Sequence, residues 1–389
     1  MHIGFDVSQT GSGKAGCGFF AHALAEAMIE SGSGHRFSLY PSFGDFYFDP
    51  SMPLTNPYPG RDVRYGPRHL TRESAAGFWN AAGAEAALGE PDIVHANNFW
   101  CPTGFARARV VYTCYDLGFT VDPSWTTEAN RVGCFEGVFR AAVAADWIVA
   151  ISQATREHFL RTFPHFPGER VRVVSPCSRF RDASVPGRMP KAVAACEPGR
   201  FWLTVGTVEP RKNQERLVEA YARYLALGGE AMPLVVAGGK GWLMDGFAER
   251  LSRMGLAGRV ILTGYVSDDE LVWLYRHCFA NLYPSLFEGF GLPVLEGMQF
   301  GAATVASSSS AIPEVAGEAG VAVDPLDTEG WAQAMLALAR DGERLARLRA
   351  AAPAQAARFD RSNCARDLLA LYEEAGRAGK RGAPEGANP

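Results

Sequence analysis

The chain has 389 residues, more than a single core usually supports, so two domains are expected. Hydrophobic residues make up 47% of it and charged residues 21%, which excludes a disordered chain, and no apolar run is long enough to span a bilayer. A net charge of −4 argues against general nucleic-acid binding, eight cysteines form no C-x-x-C pair for zinc, and the start carries no secretory signal, so a cytoplasmic location is expected.

Short β-branched runs alternate with helical patterns along almost the whole chain, as in parallel α/β units. The first run, "HIGFDV", leads into "SQTGSGKAGCGFF", which fits G-x-G-x-x-G at Gly11, Gly13 and Gly16. A dinucleotide fingerprint needs its first glycine directly after the strand and a carboxylate about twenty positions on. Here three polar residues intervene, and "RFSLY" ends in Tyr40 and Pro41, so a nicotinamide loop is rejected. A P-loop fails as well, because Ala15 follows Gly13 and Lys14 where a metal-binding hydroxyl is needed. What remains is a glycine turn feeding the helix "FFAHALAEAMIES", whose amides suit an anion.

The strands "DIVHA", "RVVYTCYD", "DWIVAIS" and "RVRVVSP" complete the first half. The loop Arg179 to Arg200 contains proline and glycine with no period, and it marks a domain boundary. Beyond it come "FWLTVG", "PLVVAGG", "RVILTG", "FANLYPS", "ATVAS" and "AGVAVDP". Two such sheets are expected to face each other across a cleft at the carboxyl ends of their strands. The expected division is an N-terminal domain over 1–185, a C-terminal domain over 199–358, a helix over 359–376 packing back toward the N-terminal domain, and a disordered tail over 377–389. Arg61, Arg64, Arg68 and Arg72, then Arg156, Arg161, Arg170 and Arg172, give the first half basic stretches that suit either solvent or an anionic membrane.

The most informative stretch is "YPSLFEGFGLPVLEGMQFGA". Glu288 precedes the turn Gly289-Phe290-Gly291, Pro293 suits a helix start, and Glu296 lies one turn inside the helix. Backbone amides at such a start, with the two carboxylates, can hold a diphosphate and a ribose; taken alone, both glutamates read as solvated charges. "LTVGTVEPRKNQERLVEAY" adds Arg211 and Lys212 just after a strand, with Asn213 as a helix cap. An arginine fork and a compact ammonium at one strand end, with a glycine-rich helix start at another, make a diphosphate pocket the simplest common explanation. No cluster has metal-ligand spacing, and Asp268-Asp269-Glu270 reads as a helix start.

"VGTVEPRKN", "TGYVSDDELVWLY" and "SLFEGFGLPVLEGMQFG…PEVAGEAGVAVDP" resemble the retaining family-4 glycosyltransferases of the GT-B fold, most strongly from Phe201 to Pro325. The resemblance implies that Arg211 and Lys212 neutralise a nucleotide diphosphate, Glu296 binds the ribose, and Glu288 contacts the transferred sugar. Gly289, Phe290, Gly291 and Leu292 would complete the donor site, and the backbone at Tyr265 and Val266 would hold the base. Gly16 and Gly18 match the family's glycine turn near sugar and phosphate. Where many members carry a His-Asp pair, this chain has Tyr115 and Asp116, and Phe19 stands where an arginine often does. Tyr115 reads equally as a site group or a packed aromatic. His95 reads first as a satisfied structural histidine and second as an acceptor contact.

The implied reaction is metal-independent, needs no cofactor, and moves a hexose with retention from a nucleotide sugar to a glycan or lipid-linked acceptor in polysaccharide or O-antigen synthesis. GDP-mannose is the first donor expected and a UDP-hexose the second. The alternatives are an epimerase or hydrolase of the same architecture, or a catalytically silent nucleotide-sugar binder. Loss of Lys212 or Glu288 is expected to lower turnover while leaving the fold largely intact.

Overall fold

A computed structural model describes the chain except residues 12, 13, 15, 45–57, 59–62, 68, 69, 71, 82 and 382–389, and the side chains of 72, 73 and 76. Gly13 of the glycine pattern, Arg61 and Arg68 therefore lie outside the described residues, as does the side chain of Arg72. In chain order the first half contains β1 (His2–Asp6), α1 (Gly16–Glu30), β2 (Arg36–Tyr40), β3 (Val63–Tyr65), α2 (Arg72–Asn80), α3 (Ala84–Ala87), β4 (Ile93–Ala96), β5 (Arg109–Cys114), α4 (Glu128–Ala144), β6 (Trp147–Ala150), α5 (Gln153–Thr162) and β7 (Val171–Val173). The second contains β8 (Trp202–Val205), α6 (Gln214–Ala226), β9 (Leu234–Ala237), α7 (Phe247–Arg253), β10 (Val260–Gly264), α8 (Asp268–His277), β11 (Ala280–Tyr283), α9 (Leu292–Gln299), β12 (Thr304–Ser307), α10 (Ile312–Ala316), β13 (Gly320–Val323), α11 (Thr328–Arg340), α12 (Gly342–Ala356) and α13 (Arg361–Arg377).

Among the described residues the strands form two all-parallel sheets, ordered β3-β2-β1-β4-β5-β6-β7 and β10-β9-β8-β11-β12-β13. Central strands such as β4, β6, β8 and β11 are buried throughout, because parallel sheets carry helices on both faces. That is why they read as continuous apolar runs. Strand order reverses between β1 and β4 in one sheet and between β8 and β11 in the other. Ligands of open α/β sheets bind beside the strand ends at such reversals.

The chain divides into two compact units. The first comprises Met1–Thr120, Ala129–Arg179 and Asp360–Pro389; the second comprises Val121–Glu128 and Phe180–Phe359. The boundary expected at residue 185 moves to Arg179/Phe180. Phe180 is buried in the second unit's core, its ring 5.1 Å from Phe300, and its carbonyl accepts from Gln299 Nε2 at 3.1 Å. The segment Val121–Glu128, inside the expected N-terminal domain, also belongs to the second unit. Of the tail expected over 377–389, residues 382–389 lie outside the described residues, and 377–381 are ordered. Helix α13 continues to Arg377, and Arg381 donates from its amide to Asp146 and from its guanidinium to the Ala142 and Ala145 carbonyls. Composition sees glycine and lysine there and cannot see the carbonyls left at the end of α4.

Helix α4 is built inside out. Gly133, Gly137, Val138, Ala141 and Ala142 are buried, whereas Val132, Phe135, Phe139 and Val143 are exposed along one face. The small inner face is steric in origin: a Cβ on Gly137 would stand 2.0 Å from the Phe99 carbonyl oxygen. Gly137→Ala is therefore expected to cost about 1–3 kcal/mol by overpacking, whereas Gly77→Ala, on the open face of α2, should gain up to about 1 kcal/mol from helix propensity. Urea unfolding of the two variants measures both; equal stabilities would contradict the close approach.

Candidate functional site

The second sheet's reversal point carries the densest polar cluster that the sequence singled out. After β8 the chain passes Gly206 and Glu209 into a single 3-10 turn, Pro210–Lys212, and then through Asn213 at φ 60° into α6. Asn213 stands at the expected cap position, yet its side chain makes no cap bond. Its Nδ2 donates to the Pro284 and Pro325 carbonyls at 3.0 and 2.8 Å. The Leu286 amide donates to the Arg211 carbonyl at 2.8 Å. These bonds fix the turn against the loop that leaves β11.

Glu288 is the centre. Its Oε2 accepts from Arg211 Nη1 at 2.9 Å, and its Oε1 accepts from Lys212 Nζ at 2.6 Å, Ser285 Oγ at 2.6 Å and Tyr283 OH at 2.9 Å. Its amide donates to Ser310 Oγ at 2.8 Å. Arg211 also donates to the Phe287 carbonyl at 2.9 Å and to Glu209 Oε1 at 2.8 Å, while Lys212 donates to Tyr283 OH at 3.0 Å. Two cations thus face two carboxylates, and the cluster is close to neutral rather than simply positive.

Burial alone would favour an uncharged Glu288, but Arg211 and Lys212 outweigh it and hold the carboxyl at about 2. Burial likewise works against the Lys212 ammonium, and Glu288 overrides it, so the ammonium is held more firmly than usual. Glu209 moves the other way, raised by burial that Arg211 only partly offsets. Glu209, Tyr283, Ser285 and Ser310 were not anticipated from sequence. Tyr283 and Ser285 were nonetheless visible as the polar positions of "YPSLFE".

Gly291 caps α9 at φ 108°, a backbone that requires glycine. The expected array of amides at this helix start is smaller than supposed: Pro293 has none, and those of Val294 and Leu295 donate to the Gly291 carbonyl. Gly289 and Phe290 are buried and Leu292 is half-buried, with the Phe290 ring 5.3 Å from that of Phe359. Glu296 is fully buried in α9 and accepts from Tyr275 OH at 3.3 Å. The structure thus joins Arg211, Lys212 and Glu288 in one cluster and describes Glu296 with a different partner. Tyr265 is 75% exposed just past β10, and Val266 packs on the core beneath it. Trp125, not singled out in the sequence, lies beside the Glu288 loop with its ring 6.2 Å from Phe287, and Trp242 Nε1 donates to the Trp125 carbonyl at 2.9 Å.

In the first unit Gly16 and Gly18 open α1. A Cβ on Gly18 would meet the Gln9 carbonyl oxygen at 2.1 Å, so its close approach is to this chain's own backbone, while Gly16 faces open space. Tyr115 is buried and donates to the Asn97 carbonyl at 2.7 Å, beside Phe20 and Phe99, which places it as the packed aromatic. Asp116 accepts from the Gly118 amide at 2.9 Å and closes a turn. His95 corrects the acceptor-contact expectation. It is fully buried, with Nδ1 bonded to Tyr372 OH and Nε2 at 2.8 Å from Thr113 Oγ1, and burial lowers its pKa to about 3. Among the described residues no group of three or more His, Cys, Asp or Glu is arranged to hold a metal ion.

Comparison with known proteins agrees with this architecture. The glycosyl transferases group 1 profile matches residues 199–341, and the glycosyltransferase family 4 profile matches 15–177. The O-antigen chain mannosyltransferase B of Escherichia coli is 30% identical over 72% of this chain and 74% of its own length. The serotype-specific mannosyltransferase WbdA of Escherichia coli is 29% identical over 94% of this chain, which spans only 47% of that longer protein. The UDP-glucose complex of Anabaena HepE superposes with a TM-score of 0.69 at 19% identity, covering 96% of this chain and all of that one. The chain belongs to the group 1, family 4 glycosyltransferases and has the GT-B fold.

The geometry changes one expectation. Lys212→Ala leaves the buried Glu288 with Arg211 as its remaining cation, so folding stability should fall, by at most about 3–5 kcal/mol. Glu288 itself generates an acid-sensitive contribution. Its folded pKa of about 2 lies below the ordinary 4.5, so the stabilisation is complete above the unfolded pKa and lost as pH falls toward 2, amounting to about 3 kcal/mol. Urea unfolding between about pH 5 and pH 2 should show this slope in the wild type and a flatter one in Glu288→Gln. Parallel slopes would contradict the charge-paired Glu288.

Proposed function

We propose that the chain transfers a hexose, with mannose from GDP-mannose as the first choice, to a glycan or lipid-linked glycan with retention of anomeric configuration. The observation that carries the reading is the Arg211–Lys212–Glu288 cluster at the β8/β11 reversal, where ligands of such sheets bind. Two relatives described as mannosyltransferases support mannose, and the one described as an O-antigen chain mannosyltransferase supports a growing O-antigen glycan. A UDP-hexose is the second donor, supported by the UDP-glucose complex of HepE.

Transfer breaks the bond between the anomeric carbon and the diphosphate oxygen, and negative charge grows on the departing diphosphate. Arg211 and Lys212 take up that charge, so a metal ion is not needed for the task. Glu288 keeps both cations fixed before the donor arrives and meets the sugar hydroxyls; such preorganised groups contribute roughly 3 kcal/mol each to the transition state. The acceptor hydroxyl attacks the anomeric carbon from the face the leaving group vacates, and its proton passes to a diphosphate oxygen. Glu296 holds the ribose, and the backbone at Tyr265 and Val266 holds the base. Thermal unfolding with each nucleotide sugar tests the donor: GDP-mannose should raise the midpoint most, and a rise with UDP-hexoses alone would overturn the first choice. With the stabilising donor and a mannan acceptor, Arg211→Ala should turn over about 100- to 1,000-fold more slowly, and a wild-type rate would remove the cluster from catalysis.

Peripheral membrane contact accompanies this acceptor, but through a different surface from the one expected. Arg156 donates to the Val171 and Gly168 carbonyls, Arg170 and Arg172 lie over Trp147, and Arg172 pairs with Glu374, so three of the four arginines in that cluster are engaged within the first unit while Arg161 is exposed. The exposed row Val132, Phe135, Phe139 and Val143 on α4 supports docking better. Phe135→Ser/Phe139→Ser should lower co-sedimentation with anionic phospholipid vesicles several-fold; unchanged sedimentation would retire this contact. No helix among the described residues is long and apolar enough to cross a membrane.

A further inference from the structure

Within the stretch of chain that builds the first unit, Val121–Glu128 departs from it and joins the second. The excursion centres on a short turn, Pro123–Trp125, capped by Asp122, whose Oδ1 accepts from the Ser124 amide at 2.8 Å and from the Ser124 hydroxyl at 2.7 Å. This turn packs on Pro210–Lys212, the turn that carries both cations of the candidate site. The Trp125 ring stands 6.2 Å from that of Phe287, inclined by 32°, and the Phe287 carbonyl accepts from Arg211 Nη1 at 2.9 Å. An indole is thus seated on the residue that precedes Glu288.

A second tryptophan holds the first. Trp242 Nε1 donates to the Trp125 carbonyl at 2.9 Å, and the Trp242 loop is itself fastened to the exit of β8. There the Val208 amide donates to the Gly239 carbonyl at 3.0 Å, and the Gly241 amide donates to the Val208 carbonyl at 3.2 Å. Leu243, next to Trp242, has φ 58°, a left-handed backbone that disfavours a side chain of its size, and that apolar side chain is exposed. Both indoles remain half-buried, whereas Trp202 and Trp331 of the same unit are fully covered. Backbone strain kept beside an incompletely covered aromatic pair, at the edge of a charged cluster, is a pattern of ligand sites rather than of core packing.

The chemistry selects the occupant. An indole face suits the flat C–H face of a pyranose ring, and the hydroxyls at the rim of that ring need polar partners, which Asp122 and Ser124 offer. A nucleobase also stacks on indole, but it arrives with phosphates, and the Asp122 carboxylate opposes an anion while accepting from neutral hydroxyls. We propose that Trp125, fixed by Trp242 and Phe287, is the platform on which a neutral hexose ring of the acceptor glycan stacks beside the Glu288 cluster. The inference rests on the transfer reading above and adds to it an acceptor subsite built by the second unit.

Two measurements on the full chain test it, with α-linked mannotriose as the probe. Titration calorimetry without donor should show mannotriose binding to the wild type and binding at least about 10-fold weaker in Trp125→Ala. Trp125→Phe, which keeps an aromatic face, should stay within a few-fold of the wild type. The rise in thermal midpoint given by the stabilising nucleotide sugar should be the same in all three, and cooperative unfolding reports an intact fold. In turnover, Trp242→Phe removes the hydrogen bond to Trp125 and should raise the KM for mannotriose several-fold more than the KM for the donor. Mannotriose that fails to bind the wild type, that binds Trp125→Ala as tightly, or a Trp125→Ala chain whose loss is in nucleotide-sugar binding would each overturn the platform. Absence of transfer from every nucleotide sugar would instead overturn the transfer reading, and the donor-free titration separates the two failures.

Discussion

A carboxylate as deeply placed as Glu288 persists as an anion only because two cations and two hydroxyls meet it within hydrogen-bonding distance. Everything else around the site serves that meeting. The turn that presents Arg211 and Lys212 is held by Asn213, whose left-handed backbone and two carbonyl contacts tie the exit of β8 to the exit of β11. The loop bearing Glu288 is held by the Ser310 hydroxyl and by the Leu286 amide. Arg211 is aimed from behind by Glu209. An anionic ligand at the proposed site would find cations already oriented and would compete with Glu288 for them. The same glutamate would then both fix the cations and limit how tightly an anion alone binds.

Both sheets use the same reversal of strand order, but the two units place different chemistry there. In the second unit the reversal carries formal charge. In the first it carries a buried polar network: Asp6 accepts from the Ser8 and Asn97 amides, Thr113 donates to Asn97, and His95 links Thr113 to Tyr372 of α13. That network welds α13 to the first sheet and explains why a helix from the far end of the chain belongs to the first unit.

Much of this was legible before any coordinates. Parallel strands are buried on both faces, so their apolar runs stood out, and β2 coincides with "RFSLY". The edge strand β3 was missed because its three residues, Val63–Tyr65, are only partly covered and sit among arginines that read as surface charge. Arg211, Lys212 and Glu288 were legible because charge beside a glycine turn is a local pattern. Glu209, Ser310 and the segment Val121–Glu128 were not, since their importance arises from contacts made across the fold. His95 is the case where the first reading, a satisfied structural histidine, stands and the second, an acceptor contact, does not. Sequence leaves two readings for a histidine at a strand end, and burial with two occupied ring nitrogens decides between them.

Asp6 and Glu288 show what decides whether a buried acid keeps its charge. Both are buried carboxylates near the ends of central strands, and both are opposed by burial. Asp6 accepts two amide hydrogen bonds, yet no cation is among its described influences, and its pKa rises to about 7. Glu288 faces Arg211 and Lys212, and its pKa falls to about 2. Backbone amides soften the loss of water without replacing it; full charges replace it. The signs then follow. Raising the pH through the interval between the ordinary carboxylate value and 7 strips a proton that folded Asp6 holds, and so weakens the first unit. Lowering the pH below the ordinary value returns a proton that folded Glu288 refuses, and so weakens the second. The acid that stays charged near neutrality is the one able to hold two cations in place for an anionic partner.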